Sequence, residues 1–254
     1  MAVSTRQCFF PQELLMFSRR HLLSFAALAA LASTATIPCV QAQDAATGKH
    51  LMILSGQSNM AGMDPNASFT PAVEKQFGKQ HVIVVKHARG GQPIRRWYKQ
   101  WQPSSGQAVS NPDSRGDLYD ALMESVSKAI EGEEISSVTF VWMQGERDAK
   151  TNEVAVYQDS LKGLVQQIRD DLKQDQVNVV IGKLGAGQLK GRPWSQNWAK
   201  LRKVQEEACS EDPRWTLVDC DDLEMKKDQL HFTPEGYKGM GQRFAEAAIK
   251  LISQ

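Results

Sequence analysis

From His50 onward, short runs rich in β-branched and other apolar residues alternate with stretches at helical spacing, and this alternation restricts the chain to one class of fold. An apolar run with no polar alternation suits a strand covered on both faces, and a helix between two such runs is the connection a parallel pair needs. The expected strands are His50–Leu54, His81–Lys86, Ser137–Trp142, Asn178–Leu184 and Trp215–Asp219. The expected helices are Leu118–Ile130, Val154–Lys173, Gln196–Cys209 and Pro234–Leu251. Together they predict an α/β fold: a three-layer α/β/α sandwich around a five-stranded parallel sheet, with four or five helices. No repeat or second composition marks a boundary inside it.

The first forty or so residues stand outside this alternation. Arg19 and Arg20 precede an apolar run from Leu22 to about Ala32, and small residues at Val40 and Ala42 suit a signal peptidase. Residues 1–42 therefore read as an export signal whose true start is Met16, leaving residues 43–254 as one domain in the bacterial periplasm or outside the cell. The segment from Ser18 to Ser24, "SRRHLLS", also resembles a twin-arginine signal; an ordinary secretory leader with two arginines at its basic end is the other reading. The run is too short to span a bilayer, so no stable membrane anchor is expected.

Charge narrows the partners. The chain has 30 basic and 29 acidic residues; removing Arg6, Arg19, Arg20 and Glu13 with the leader leaves 27 and 28. Such a balance gives no basic face for nucleic acid. Cysteine, histidine and carboxylate residues nowhere show zinc spacing, and no cofactor is expected. Cys209 and Cys220 remain in the exported part, either as a disulfide permitted by an oxidising compartment or as two half-buried thiols in a core that needs no staple.

Open α/β sheets bind ligands at the carboxyl ends of their strands. Polar blocks fall there four times: "SGQSNM" after the first strand, "KHARGGQPIRRW" after the second, "MQGERD" after the third and "DDLEMKKDQLHFTPEG" after the fifth. Residues Ala88 to Gly116 form a long segment of little periodicity that includes Gly90, Gly91, Trp97 and Trp101, and such a segment in a compact domain is usually functional.

Ser58 sits in the first block. A serine hydroxyl is a weak nucleophile until a base takes its proton, and histidine is suited to that near neutral pH. His50 and His81 open expected strands at the far end. His87 is better placed but has no carboxylate neighbour, which makes it a candidate binding residue. His231 has Asp228 three residues before it, and a carboxylate so near can fix the tautomer and stabilise the imidazolium. Attack by Ser58 would form an oxyanion needing donors already in place. The backbone N–H of Ser58, that of Gly90 or Gly91, and the Gln144 side-chain amide are the candidates. Gln57, Asn59 and Glu146 are candidate support, and Glu146 or Asp148 would contact either the triad or the loop holding Ser58.

These blocks resemble those of the SGNH (GDSL-like) hydrolases, and within them the sialate O-acetylesterase-like group that includes plant and bacterial carbohydrate acetylesterases. The resemblance covers residues 49 to 252 and is carried by "GQSNMAG" at Gly56–Gly62, "GGQPIRRW" at Gly90–Trp97, "LYDALM" at Leu118–Met123, "QGERDA" at Gln144–Ala149 and "DQLHFTPEGYKGMGQRFA" at Asp228–Ala245. It implies a flavodoxin-like SGNH fold with Ser58 as nucleophile, His231 as base and Asp228 as its partner. It also implies that Gln144 stands where the wider superfamily uses asparagine in the oxyanion hole. The group usually has serine or alanine where this chain has Arg147, a departure that bears on specificity more than on chemistry.

An exported esterase with such ties is expected to remove acetyl groups from a glycan or a sialate-like sugar. Trp97, Trp101, Trp194 and Trp198 lie in or near expected loops, either to stack on sugar rings or to pack. Lys86, Arg89, Arg95 and Arg96 would favour an acidic sugar or form a solvated loop. The rival functions are a non-catalytic glycan-binding module and an esterase for short non-sugar acyl esters.

Overall fold

The strand Lys49–Gly56 (β1) sends Leu51 and Ile53 into one apolar cluster and Met52 and Leu54 into another. A strand with both faces covered lies inside a sheet that is itself covered on both sides, which is why its sequence is a continuous apolar run. The structure, a computed structural model, describes residues 48–104 and 114–254. The expected export signal, residues 1–42, lies outside the described residues. Among the described residues no helix is long and apolar enough to cross a membrane.

β1 is flanked by β2 (Val82–Ala88) and β3 (Ile135–Met143), and β4 (Val177–Gly182) and β5 (Trp215–Val218) complete a wholly parallel sheet in the order β2-β1-β3-β4-β5. The chain steps outward from β1 to β2, then returns across β1 to lay down β3. At such a reversal the connections leave the sheet in opposite directions and open a crevice at the carboxyl ends. The three strand ends beside it are tied by backbone hydrogen bonds: Gln57 N–H donates to the Met143 carbonyl at 2.9 Å, and Arg89 N–H to the Gly56 carbonyl at 3.1 Å. Gly56 is required for this approach. Its φ is +141°, and a Cβ there would meet the Met143 oxygen at 2.1 Å.

Seven helices follow among the described residues: α1 (Ser58–Gly62), α2 (Phe69–Phe77), α3 (Asp117–Ala129), α4 (Glu146–Lys150), α5 (Tyr157–Leu172), α6 (Ser195–Glu211) and α7 (Pro234–Ile252). Phe69, Val73, Met240 and Phe244 of α2 and α7 cover the face carrying Met52 and Leu54. Leu122, Leu161, Leu164 and Leu201 of α3, α5 and α6 cover the other. α7 starts where its sequence says it should: Thr233 Oγ1 accepts from Gly236 N–H at 3.2 Å and Pro234 occupies the first helical position.

The five expected strands and four expected helices are all present, with ends shifted by at most three residues. Sequence periodicity does not disclose α1, α2 and α4. The first and last of these are single turns inside polar strand-end blocks, too short to show a helical repeat. Cys209 and Cys220 are free thiols, both pushed up to about 12 by burial.

The tryptophans call for a correction. Trp97 is 0 % exposed and meets Trp142 edge to face, with ring centroids 5.1 Å apart. It has no face to offer a sugar, so its expected substrate-binding role gives way to packing. Trp101 and Trp198 are likewise buried, and the Trp198 indole N–H donates to the Gly185 carbonyl. Trp194 alone of the four is partly exposed, with Lys150 Nζ 4.9 Å from its ring centre. A glycine- and proline-rich segment hides its buried side in sequence, because irregular backbone shows no period to separate core from surface.

Candidate active site

β1 ends at Gly56, and the next two residues turn the chain into α1 so that Ser58 is partly exposed while Gln57 and Asn59 are buried. On the far side of the crevice the chain leaves β5 and enters α7 through a loop carrying Asp228 and His231. Asp228 Oδ1 accepts from the backbone N–H groups of Leu230 at 2.9 Å and His231 at 3.0 Å, so the carboxylate folds its own loop. Its other oxygen lies 2.7 Å from His231 Nδ1. Nε2 of the same ring lies 3.1 Å from Ser58 Oγ. Residues 173 positions apart thereby share a hydrogen bond across the crevice.

Burial alone would raise the Asp228 carboxyl, but the His231 backbone N–H, the His231 ring and the Leu230 N–H outweigh it and hold the group at about 2. An ionised Asp228 accepts from Nδ1–H, which leaves Nε2 as the ring atom able to take a proton.

Gln188 supports this loop from the turn after β4. It is buried, and its Nε2 donates to the carbonyls of Asp228 at 3.1 Å and Gln229 at 2.9 Å. Gln229 holds a φ of +55°, outside the usual range for a side-chain-bearing residue, and the two bonds flank that strained position. Gln188 was not foreseen, since nothing in its neighbourhood marks it as polar and buried.

Gly90 and Gly91 form the turn after β2. A Cβ at Gly90 would lie 3.6 Å from Ser58 Cβ, so its backbone borders the hydroxyl-bearing residue. Gly91 has φ +71° and its carbonyl accepts from Arg147 Nε at 2.8 Å. Among the described residues neither the Ser58 nor the Gly91 N–H donates to a protein acceptor. Arg147 also donates its backbone N–H to Gln57 Oε1 at 3.1 Å, linking the blocks on either side of Ser58.

Gln144 departs from expectation. Its side chain is 0 % exposed, and its Nε2 contacts Asp148 Oδ2, the Gln92 carbonyl at 3.0 Å and Gln57 Oε1 at 3.4 Å. Two amide hydrogens facing three protein acceptors leave none for a substrate oxygen. The expected oxyanion donor is instead a brace between the blocks after β1, β2 and β3. The capturing residue, Asp148, stands four positions on, at one helical turn's spacing.

The two buried carboxylates of α4 reach opposite sides of the site. Asp148 takes the Ile94 N–H on both oxygens, at 3.2 and 3.1 Å. Glu146 Oε1 accepts from Asn59 Nδ2 at 3.0 Å. Burial raises both carboxyls to about 7, against the opposing pull of their hydrogen bonds.

The remaining candidates lie around this core of the site. His87 is half-buried, its Nδ1 makes no hydrogen bond among the described residues, and burial followed by the charge of Arg89 lowers its pKa. Arg95 donates to Ser114 Oγ at 2.7 Å, and Arg96 pairs with Asp117. Lys86 Nζ donates to the carbonyls of Ala61 and Met63, fastening the exit of α1. Of the four basic residues considered for an acidic sugar, these three are thus engaged in holding the protein.

Comparison with known proteins identifies the family. The family model described as carbohydrate esterase, sialic acid-specific acetylesterase matches residues 61–250, starting just after Ser58. A probable carbohydrate esterase from Arabidopsis thaliana is 24 % identical over 207 residues, covering 79 % of this chain and 68 % of that protein. The crystal structure of that plant protein superimposes with a TM-score of 0.62 and 19 % identity, covering 80 % of this chain and 98 % of the other. A carbohydrate acetylesterase from Xanthomonas citri gives a TM-score of 0.54 at 16 % identity, covering 79 % of this chain and 56 % of that one. NanS gives 0.57 at 14 % identity, covering 82 % and 99 %. These three solved structures share this chain's fold.

Proposed function

The chain belongs to the carbohydrate esterase family described as sialic acid-specific acetylesterase, and on that premise we propose that it removes O-acetyl groups from a sugar through an acetyl-enzyme, with Ser58 as nucleophile, His231 as base and Asp228 as its orienting acid. The protein is a carboxylic ester hydrolase by its family; the mechanism and the substrate are the proposal. The observation that carries the mechanism is the continuous line from Asp228 Oδ2 to His231 Nδ1 at 2.7 Å and from His231 Nε2 to Ser58 Oγ at 3.1 Å.

In the first half-reaction His231 Nε2 takes the Ser58 proton as Oγ bonds to the acetyl carbonyl carbon. The negative charge that develops on the carbonyl oxygen faces the free N–H groups of Ser58 and Gly91. Asp228 stabilises the imidazolium without taking its proton. Collapse breaks the bond to the sugar oxygen, which leaves as a hydroxyl with the proton from Nε2, and the acetyl group stays on Ser58. A water molecule then repeats the sequence, giving up its proton to Nε2, and acetate departs as Ser58 recovers its hydrogen.

An intact line of three residues favours an enzyme over a binding module, which has no use for a serine joined to a histidine and its carboxylate. The Gly90–Gly91 turn after β2 borders Ser58, and the polar blocks around it suit a polar alcohol more than a long acyl chain.

The test is acetate release by the residue 43–254 protein from acetylated xylan, pectin, sialic acid and sulfated algal glycans, beside p-nitrophenyl acetate. Release from at least one glycan, abolished by Ser58→Ala, is expected. Cleavage of the small ester alone would leave the chemistry and remove the carbohydrate; activity that survives Ser58→Ala would remove the serine mechanism.

A further inference from the structure

Glu146 is the first residue of α4 and is 1 % exposed. The Asn59 amide that it accepts from does more than meet it. The same Nδ2 donates to the Leu230 carbonyl at 3.1 Å, and Oδ1 accepts from the Tyr237 hydroxyl at 3.2 Å. Asn59 directly follows Ser58, Leu230 directly precedes His231, and Tyr237 belongs to α7. One buried primary amide therefore joins the residue beside the hydroxyl to the residue beside the imidazole. These contacts take both its hydrogens and occupy its oxygen.

A junction of that kind has two orientations. Rotated by half a turn, the Asn59 amide would set its oxygen against the Leu230 carbonyl and its hydrogens against the Tyr237 hydroxyl. Glu146 and the Leu230 carbonyl together fix the first, because an acceptor oxygen at 3.0 or 3.1 Å welcomes an N–H and repels a carbonyl oxygen. Without an acceptor at Glu146 one Asn59 hydrogen is buried and unpaired, a loss that exceeds the value of the bond itself.

We infer that Glu146 is a positioning residue for the proposed esterase reaction: through Asn59 it sets the separation between Ser58 Oγ and the His231 imidazole. The inference rests on the serine mechanism proposed above. Among the described residues Glu146 makes no hydrogen bond to Ser58 or His231, so its influence is indirect. Its Oε2 is buried with no partner among the described residues, an arrangement that suits a carboxyl raised toward neutrality by burial. A neutral side chain of the same shape, offering one oxygen to Asn59, would therefore do the same work.

The test is a double-mutant cycle in kcat for p-nitrophenyl acetate using Glu146→Ala, Asn59→Ala and the pair, with Glu146→Gln as the conservative variant. Each single alanine variant is expected to lower kcat by about 10- to 100-fold, the effect of a misplacement of about 1 Å, with KM changed less than about threefold. The pair should be no worse than the poorer single variant, since both remove the same link. Glu146→Gln should keep kcat within about threefold of the wild type, because its oxygen still accepts from Asn59. Should Glu146→Ala fail to fold, Glu146→Leu fills the volume without an acceptor and takes its place. Losses that multiply, or that fall on KM with kcat unchanged, would overturn the inference. So would a Glu146→Gln enzyme as impaired as the alanine variant, which would make the charge the working part and reopen the choice of acid between Glu146 and Asp228. Failure of the serine mechanism is read separately, from Ser58→Ala.

Discussion

Asp148 holds the Ile94 backbone N–H between its two carboxylate oxygens at 3.2 and 3.1 Å while a third contact takes the Gln144 amide. The segment just after the Gly90–Gly91 turn is thus anchored by a carboxylate from α4, which follows the next strand of the chain, β3. Replacing it by asparagine would leave an amide group facing the Ile94 or Gln144 donors. Asp148→Asn is expected to lower kcat on p-nitrophenyl acetate by about 10- to 100-fold, the scale of a misplacement of about 1 Å. A boronic acid that mimics the tetrahedral state should lose affinity in step, with KM less affected. Undiminished boronate binding in an impaired enzyme would show that the glycine turn had not moved.

The two buried carboxylates also leave a mark on stability. The folded state keeps their protons up to about 7, whereas the unfolded chain releases them near the ordinary 4.5 of a glutamate and 3.8 of an aspartate. Between those values the folded state binds more protons, so stability from this source is full below the ordinary values and is lost as pH rises through about 7. His50 and His87 act in the opposite sense, because burial and neighbouring cations lower them and stability from them rises with pH. A difference measurement separates the two. Urea denaturation of wild type and Glu146→Gln between pH 5 and 8 should show the wild type losing ground to the variant as pH rises, by a few kcal/mol at most at about 1.4 kcal/mol per pKa unit. Parallel curves would contradict the shifted carboxyl.

Activity itself should fall on acidification, because a protonated His231 cannot accept the serine proton. Asp228, held at about 2, stays ionised throughout that range and contributes no limb of its own. Ser58→Ala and His231→Ala should each reduce kcat by on the order of 10³ or more, and Asp228→Asn by less. A rate constant independent of pH from 5 to 8 would rule out a histidine base.

Trp97→Ala should destabilise the fold by about 3–5 kcal/mol, the usual cost of emptying the space of a large buried aromatic. Whatever activity remains should fall equally on acetylated glycan and on p-nitrophenyl acetate, since the indole packs on Trp142 and reaches no ligand. A selective loss on the glycan would restore Trp97 to the substrate site.

The strands were legible because a strand buried on both faces writes itself as an unbroken apolar run, and Asp228 and His231 because they are close in sequence as well as in space. Contacts between distant segments left no such trace. Tyr237 reads as an ordinary helix residue, yet it reaches Asn59 across 178 positions. Gln144 was misread for a related reason: an amide at a strand end looks free until Asp148, one turn on, is seen to point back at it. Trp97 shows the limit most plainly, since an aromatic side chain among glycines and prolines carries the same letters whether it meets solvent or core.

Because the Asp228 carboxylate accepts from backbone on its own loop as well as from the His231 ring, the proposed acid and base form a cassette whose mutual geometry is set inside that loop, with Gln188 and Asn59 tying it to the turns after β4 and β1. Ser58 belongs to a different structural body, the end of β1. The two halves of the proposed chemistry therefore meet only across the crevice: an insertion between β5 and Asp228 that displaced the loop would carry the carboxylate and the imidazole away together, leaving an oriented ring with nothing to deprotonate. Grafted beside a serine on another parallel sheet, the same short loop would bring its tautomer with it and would need only to be aimed.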